Sequence, residues 1–290
     1  MKRVRMSRVR MSIVAVVFAA LSISPPVLGA GGESSDTAPA STLDLSYDLY
    51  AGGIALGRVG MSAHFQGSDY KAVSTLETRG IVNAFWQSKI EAASNGQLAG
   101  GHVQPALYDS YSQNRNAERR QVTLTFGPEG PKSLFSDPPY PESHYPVPET
   151  QQKKTLDPLS AVIFLTSAIS ASDAKPCQAV APIFDGRRRY DVALSFVRKT
   201  NVRMDNGLYS GPALVCQVHY NQIAGYQQTL VQQGKKLPAI YAWVSEVPST
   251  TDPSRHYMLP LRVWAETDFG LVVALASQVK LDGTLLNKAN

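Results

Sequence analysis

Leu43-Asp44-Leu45-Ser46-Tyr47-Asp48-Leu49-Tyr50 changes character at every step, with Leu43, Leu45, Tyr47 and Leu49 on one parity. Successive side chains of a strand point to opposite faces, so this octet predicts a strand with one buried face. Gly52, Gly53 and Gly57 interrupt it, a second stretch runs from Val59 to Phe65, and Gly67-Ser68 turns the chain into a third, Asp69 to Thr78. Glycines in such a setting mark turns and bulges. No helix-opening pattern follows them, which argues against a nucleotide-phosphate fingerprint.

The same pattern continues outward. Strands are predicted over Ser88 to Ser94, His102 to Gln113, Arg120 to Phe126, Lys132 to Phe135 and Val180 to Phe184. Further ones follow over Arg187 to Val197, Leu214 to Tyr220, Ala239 to Val247, Met258 to Glu266 and Leu271 to Leu281. Asp185-Gly186 reads as a two-residue type I′ hairpin turn. Residues 137–150, DPPYPESHYPVPET, carry too many prolines to donate hydrogen bonds within a sheet and read as a surface connection. One helix is predicted over about 157–172, with Asp157 as N-cap and Pro158 in its first turn. Leu159, Ala161, Val162, Ile163, Phe164, Leu165, Ala168 and Ile169 make it apolar almost all round, so it must be covered on most sides. Strands do not alternate with amphipathic helices, which argues against a doubly wound α/β fold. The expected fold is mainly β: a large antiparallel unclosed β-barrel with one buried helix plus short helical turns, forming a single domain over 43–290.

Upstream, Lys2, Arg3, Arg5, Arg8 and Arg10 precede an uncharged run from Met11 to Ser24, then Pro25, Pro26, Gly29 and Ala30. That order predicts a cleaved secretory signal peptide over 1–30 and, in a bacterium, a periplasmic product. The apolar run is too short to span a bilayer, which takes about 20 residues. No later stretch approaches that length, so no transmembrane segment is expected after cleavage. Residues 31–42 read as a flexible leader. Of 28 Lys and Arg, five lie in the signal, and the remaining 23 balance the 23 Asp and Glu. The basic excess therefore belongs to the export signal, and nucleic acid is not an expected partner. In an oxidising compartment Cys177 and Cys216 are expected to form a structural disulfide.

Three groups of motifs occur in order along the chain: Tyr47-Asp48-Leu49-Tyr50-Ala51-Gly52-Gly53 with Leu56-Gly57; Asp157-Pro158-Leu159-Ser160-Ala161; and Phe184-Asp185-Gly186-Arg187-Arg188-Arg189-Tyr190-Asp191 with Cys216-x-Val218-x-Tyr220 and Gly225-Tyr226. In these the chain resembles the exported bacterial family catalogued as domain of unknown function 3108, from about Leu43 to Leu281. The resemblance implies an unclosed barrel similar to periplasmic lipoprotein-carrier and envelope-integrity proteins. It implies no catalytic residues.

Chemical motifs are sparse. His64, His102, His144, His219 and His256 show no metal-ligand spacing, and no Gly-x-Ser-x-Gly elbow occurs. Gly60-Met61-Ser62-Ala63-His64 lacks the second glycine. Glu266 and Asp268 end a strand and read as solvated. No catalytic, metal or cofactor residues are assigned. The candidate ligand contacts are Arg188 and Tyr190: with Val192, Leu194 and Phe196 they share one face of a regular strand, so Arg188 either meets an anionic group or stands in water at the turn. The function expected is that of a non-enzymatic envelope protein binding an apolar ligand, a lipid, a lipoprotein or another envelope protein. The alternatives are a periplasmic hydrolase acting on cell wall or lipid, and a docking module using residues 137–150.

Overall fold

In the computed structural model the described residues are 40–80, 87–114, 118–140, 145–167, 176–227, 238–268 and 270–286. The predicted signal peptide, His144 and the C-terminal part of the predicted helix lie outside them. Each predicted strand is present. In chain order they are β1 (Ala40–Ala51), β2 (Ile54–Gln66), β3 (Asp69–Thr78), β4 (Ser88–Ala99), β5 (His102–Asn114), β6 (Arg119–Gly127) and β7 (Gly130–Asp137). After two helices come β8 (Ala179–Phe184), β9 (Arg189–Arg203), β10 (Ser210–Ala224), β11 (Ile240–Pro248), β12 (His256–Thr267) and β13 (Gly270–Leu281), with a two-residue β14 (Thr284–Leu285).

All pair antiparallel in one sheet of order β7-β6-β5-β4-β3-β2-β1-β13-β12-β11-β10-β9-β8, with β14 on β13. The only long-range junction in that order is β1 with β13; every other neighbour is a hairpin. Register breaks occur along the sheet, among them those at Leu49/Tyr50, Asn95/Gly96 and Trp243/Val244. Bulges of this kind bend strands and increase twist, which lets a thirteen-strand path curl. Gly96 sits at one of them because a Cβ there would lie 2.3 Å from Gln104 O and 2.8 Å from the Tyr70 hydroxyl.

The helices are α1 (Glu149–Gln152) and α2 (Pro158–Ser167). Helix α2 lies within the curl, touching β3, β4, β5, β8 and β12. Its all-round apolar surface thereby finds cover on several sides. Leu159 and Ile163 pack into a cluster with Leu43, Phe65, Tyr70, Tyr257 and Leu281. Ala161, Phe164 and Leu165 face Ala181, Ile183, Tyr190 and Val192 on β8 and β9.

The barrel is unclosed because β7 and β8 do not pair; the connection into α2 spans the seam. Lys154 N donates to Glu129 O at 2.8 Å. Leu156 N then donates to Pro182 O at 2.7 Å, and Phe184 N donates to Leu156 O at 2.9 Å. One short segment therefore satisfies backbone groups of both margins.

Two sequence expectations need correction. The leader does not extend to residue 42: β1 begins at Ala40, because Asp282 accepts hydrogen bonds from Ser41 Oγ at 2.7 Å and Thr42 N at 2.9 Å. Asp185-Gly186 is not a two-residue turn. The loop comprises residues 185–188, since Phe184 pairs with Arg189 and Asp185 Oδ1 takes the amides of Arg187 at 2.8 Å and Arg188 at 2.7 Å. Within this loop only Gly186 has a positive φ, whereas a type I′ turn needs two such residues.

Candidate functional site

The barrel is packed in part and hollow in part. Beside α2 lies a cavity of about 440 Å³, within the size range of ligand pockets. Its wall comes from the inward parity of the first strands, Leu45, Tyr47, Leu49, Val59, Met61, Leu76, Ile90 and Ala92, and from Val263 and Ala274 on β12 and β13. Helix α2 contributes Pro158, Leu159, Val162 and Thr166. Ile90 and Val162 stay 39% and 37% exposed although they face the interior, because the space in front of them is empty. None of the 18 described lining residues is charged. Tyr47 spends its proton on Pro260 O at 2.8 Å, and Thr166 donates back to Val162 O at 2.8 Å, so neither presents a free donor. Burial pushes the Tyr108 phenol up to about 12 and the Tyr47 phenol higher still, keeping both neutral. An uncharged, apolar hollow favours a hydrocarbon occupant, each buried CH₂ contributing about 0.8 kcal/mol.

Helix α2 is pinned beside this cavity by a buried polar network. Asp157 Oδ1 accepts from Leu159 N at 3.0 Å and Ser160 N at 2.9 Å, the N-cap expected from sequence. Its other oxygen accepts from Ser160 Oγ, and from Ser94 Oγ at 3.1 Å. Tyr70 OH lies 2.6 Å from Ser160 Oγ. Burial raises the Asp157 carboxyl above the usual range, against the pull of these hydrogen bonds. The participation of Tyr70 and Ser94 carried no local signal, because both sit in ordinary strand pattern far from residue 157.

Arg188 and Tyr190 meet through two further tyrosines. The Tyr190 and Tyr220 rings lie 4.9 Å apart, Tyr220 OH lies 2.6 Å from Tyr226 OH, and the Arg188 guanidinium lies 5.6 Å from the Tyr226 ring. Tyr190 is half-buried, with Val192 and Leu194 on its parity, whereas Arg188 is exposed in the loop before β9 and Phe196 is also exposed. Arg189, on the other parity, pairs with Asp191 at 2.5 Å. Burial raises the phenols of Tyr190 and Tyr226, so they remain hydrogen-bond donors. The proline-rich connection is partly used in packing: Val147 lies against the main cluster, and the Tyr140 ring faces Arg120 at 4.7 Å and Arg187 at 5.4 Å.

Other reactive groups are scattered. Cys177 and Cys216 form a disulfide with Cα atoms 6.0 Å apart, buried among Leu214, Ala242, Val244 and Met258. Ser62 donates to Asp44 at 2.6 Å, and His64 is exposed, so that near-motif assembles nothing. His256 lies 3.8 Å from Glu246 on the surface, and Glu266 and Asp268 are exposed. Ser195 Oγ lies 2.8 Å from His219 Nε2, but among the described residues no carboxylate pairs with that histidine, and neither residue lines the cavity. No group of three His, Cys, Asp or Glu that could hold a metal occurs among the described residues. No helix among them is long and apolar enough to cross a membrane.

The family described as "Protein of unknown function (DUF3108)" matches residues 46–277, and the chain belongs to that family. Among solved structures, it is similar to the β-barrel-like protein of domain of unknown function DUF1849 from Brucella abortus. That likeness covers 85% of this chain and 98% of the other, at 10% identity and a TM-score of 0.49. No curated protein matches the chain.

Proposed function

We propose that this chain is an exported, non-enzymatic protein of the bacterial cell envelope that holds an apolar chain inside its barrel. The observation that carries the reading is the 440 Å³ hollow, uncharged on every described lining residue and floored by a helix fixed to the wall. Natural cores pack without such voids, and empty space of this size forfeits contacts that filling it would restore. Export rests on the basic-then-apolar N-terminus, and the buried disulfide suits the oxidising compartment that export implies. Against the hydrolase alternative, the Ser195–His219 pair has no orienting acid among the described residues and does not line the hollow.

The test is extraction. Protein purified from the periplasm is extracted with organic solvent and the extract analysed by mass spectrometry. A lipid or other hydrocarbon compound near one equivalent supports the reading. An Ala92→Phe variant, whose ring projects into the hollow, is expected to lose that compound while melting at or above the wild-type temperature. An extract empty in both, together with failure of the wild type to bind any hydrocarbon probe, would sink the proposal.

A further inference from the structure

The ligand's polar end is the open question that a hydrocarbon cavity leaves, and the wall of the barrel bears on it. A second space of about 690 Å³ adjoins the first: Ile90 lines both. Its other walls include Ser88, Ser112, Asn114, Glu118, Arg119 and Arg120. Ile90 pairs directly with Ser112, and Ser112 with Arg120, so these three stand in one row across β4, β5 and β6. Arg120 shares its parity with the buried Val122 and Leu124, which places it on the inner face. With strands about 4.8 Å apart, its Cα lies about 10 Å from that of Ile90, within reach of a long side chain.

Among the described residues this guanidinium has no ion-pair partner. Arg120 Nη1 donates to Pro138 O at 2.7 Å, which leaves most of its five donors available. Its plane lies over Tyr140, and Arg187 approaches the same ring from the β8–β9 loop. Among the described residues neither arginine forms an ion pair with a carboxylate. Glu118 receives Asn114 Nδ2 at 2.7 Å. The Asp185 carboxylate lies within electrostatic range of the same ring, but its Oδ1 accepts the Arg187 and Arg188 amides rather than a guanidinium, and a guanidinium fork suits the two oxygens of a carboxylate or phosphate.

We infer that Arg120, with Arg187 beside it, forms a head-group subsite continuous with the apolar cavity, and that the ligand is a single-chain anionic amphiphile. This rests on the proposed function, since it assigns a head to the chain the cavity holds. The hydrocarbon lies along Val59, Leu76 and Val162, emerges past Ile90, and ends in a carboxylate or phosphate at Arg120.

Isothermal titration of the mature protein at low ionic strength tests it, with dodecanoate, 1-dodecanol and inorganic phosphate as probes. Dodecanoate is expected to bind at least about tenfold more tightly than dodecanol, the size of a charge-assisted hydrogen-bonded contact. The double variant Arg120→Gln/Arg187→Gln should bring dodecanoate to dodecanol's affinity and leave dodecanol unchanged, which also certifies its fold. Arg187→Gln alone, at an exposed loop position, should produce part of the loss if the double variant does not fold. Equal affinity of the two probes for the wild type overturns the head-group subsite while leaving the cavity reading intact. So does undiminished dodecanoate binding to the variants. Inorganic phosphate binding as tightly as dodecanoate would also overturn it, as a site for free anions. Failure of both probes to bind removes the cavity reading and the inference with it.

Discussion

The Asp157 carboxylate is fully buried, caps α2, and has no cation beside it among the described residues. Burial disfavours its charged form more strongly than four hydrogen bonds favour it, and its pKa is raised. A carboxyl raised in the fold supplies stability fully only below the unfolded value of about 3.9, and that contribution fades as pH climbs through the folded value. Asp157→Asn keeps an oxygen for the Leu159 and Ser160 amides and carries no charge. Measured by urea unfolding between pH 4 and 8, the wild type should lose stability relative to Asp157→Asn as pH rises. Asp157→Ala should cost about 2–4 kcal/mol at pH 4, by losing the cap and orphaning the hydroxyls of Ser94 and Ser160, and less as pH rises. A flat difference between wild type and Asp157→Asn would mean that the carboxyl is not perturbed. Asp282 shows the opposite sign. Burial works against its charge, but Ser41, Thr42, Ser249 and Thr250 all donate to it and hold its pKa well below the usual range. Its stabilisation is present above about pH 4 and is lost as the solution is acidified below the unfolded value. Asp282→Asn should therefore be the less stable protein at pH 7, with the gap closing toward pH 2. The Asp157 cap was legible in its Asp-Pro start. The Asp282 hub was not, because its donors arrive from β1 and from the β11–β12 loop.

At the scale of elements, the sequence pattern located β1 to β13 but not the two-residue β14, and its errors fell at ends and turns. A strand's side-chain parity is local, whereas its end depends on what meets its backbone. Residues 40–42 become strand because they pair with 64–66 of β2 while Asp282 holds Ser41 and Thr42, and the β8–β9 loop lengthens because the Asp185 side chain captures two amides. The helix shows the converse: its all-round apolarity correctly required cover on most sides, yet could not say that Val162 would face empty space. Whether an inward residue meets another side chain depends on barrel radius and summed volumes, which no single stretch encodes. Gly96 couples an element to the site. Gly96→Ala would drive a methyl into Gln104 O and the Tyr70 hydroxyl, loosening Tyr70 from Ser160 and so the start of α2. Overpacking of this kind costs about 1–3 kcal/mol. Gly60→Ala, with nothing within 4 Å of the added methyl, should change stability by less than about 0.5 kcal/mol. Equal effects in urea unfolding would refute the close-approach account.

Over the whole molecule, one sheet must hold its curl without the closing ladder that seals a true barrel. At one margin the segment around Lys154 and Leu156 bridges β7's turn to β8 through backbone hydrogen bonds, and none of this was visible in sequence, since its partners, Glu129 in a turn and Pro182 and Phe184 on β8, are more than 20 residues away. The same half of the sheet carries the disulfide. Cys177 lies just before β8 and Cys216 in β10, so the bond ties the last-ordered margin, whose outer strand pairs only with β9, to the sheet two strands in. Closing a loop of 39 positions is worth about 4 kcal/mol in the chain-entropy model. Because β8 covers Ala161 and its neighbours on α2, loss of the bond should be felt at the plug as well as at the margin. Cys177→Ser/Cys216→Ser is therefore expected to unfold about 4 kcal/mol more easily than the oxidised wild type and to expose the amides of β8 and α2 first in hydrogen exchange. Reduction of the wild type should reproduce both effects. If instead exchange rises uniformly across β1–β13, the bond acts only by restricting the unfolded chain, and the margin is held by the Lys154–Leu156 bridge.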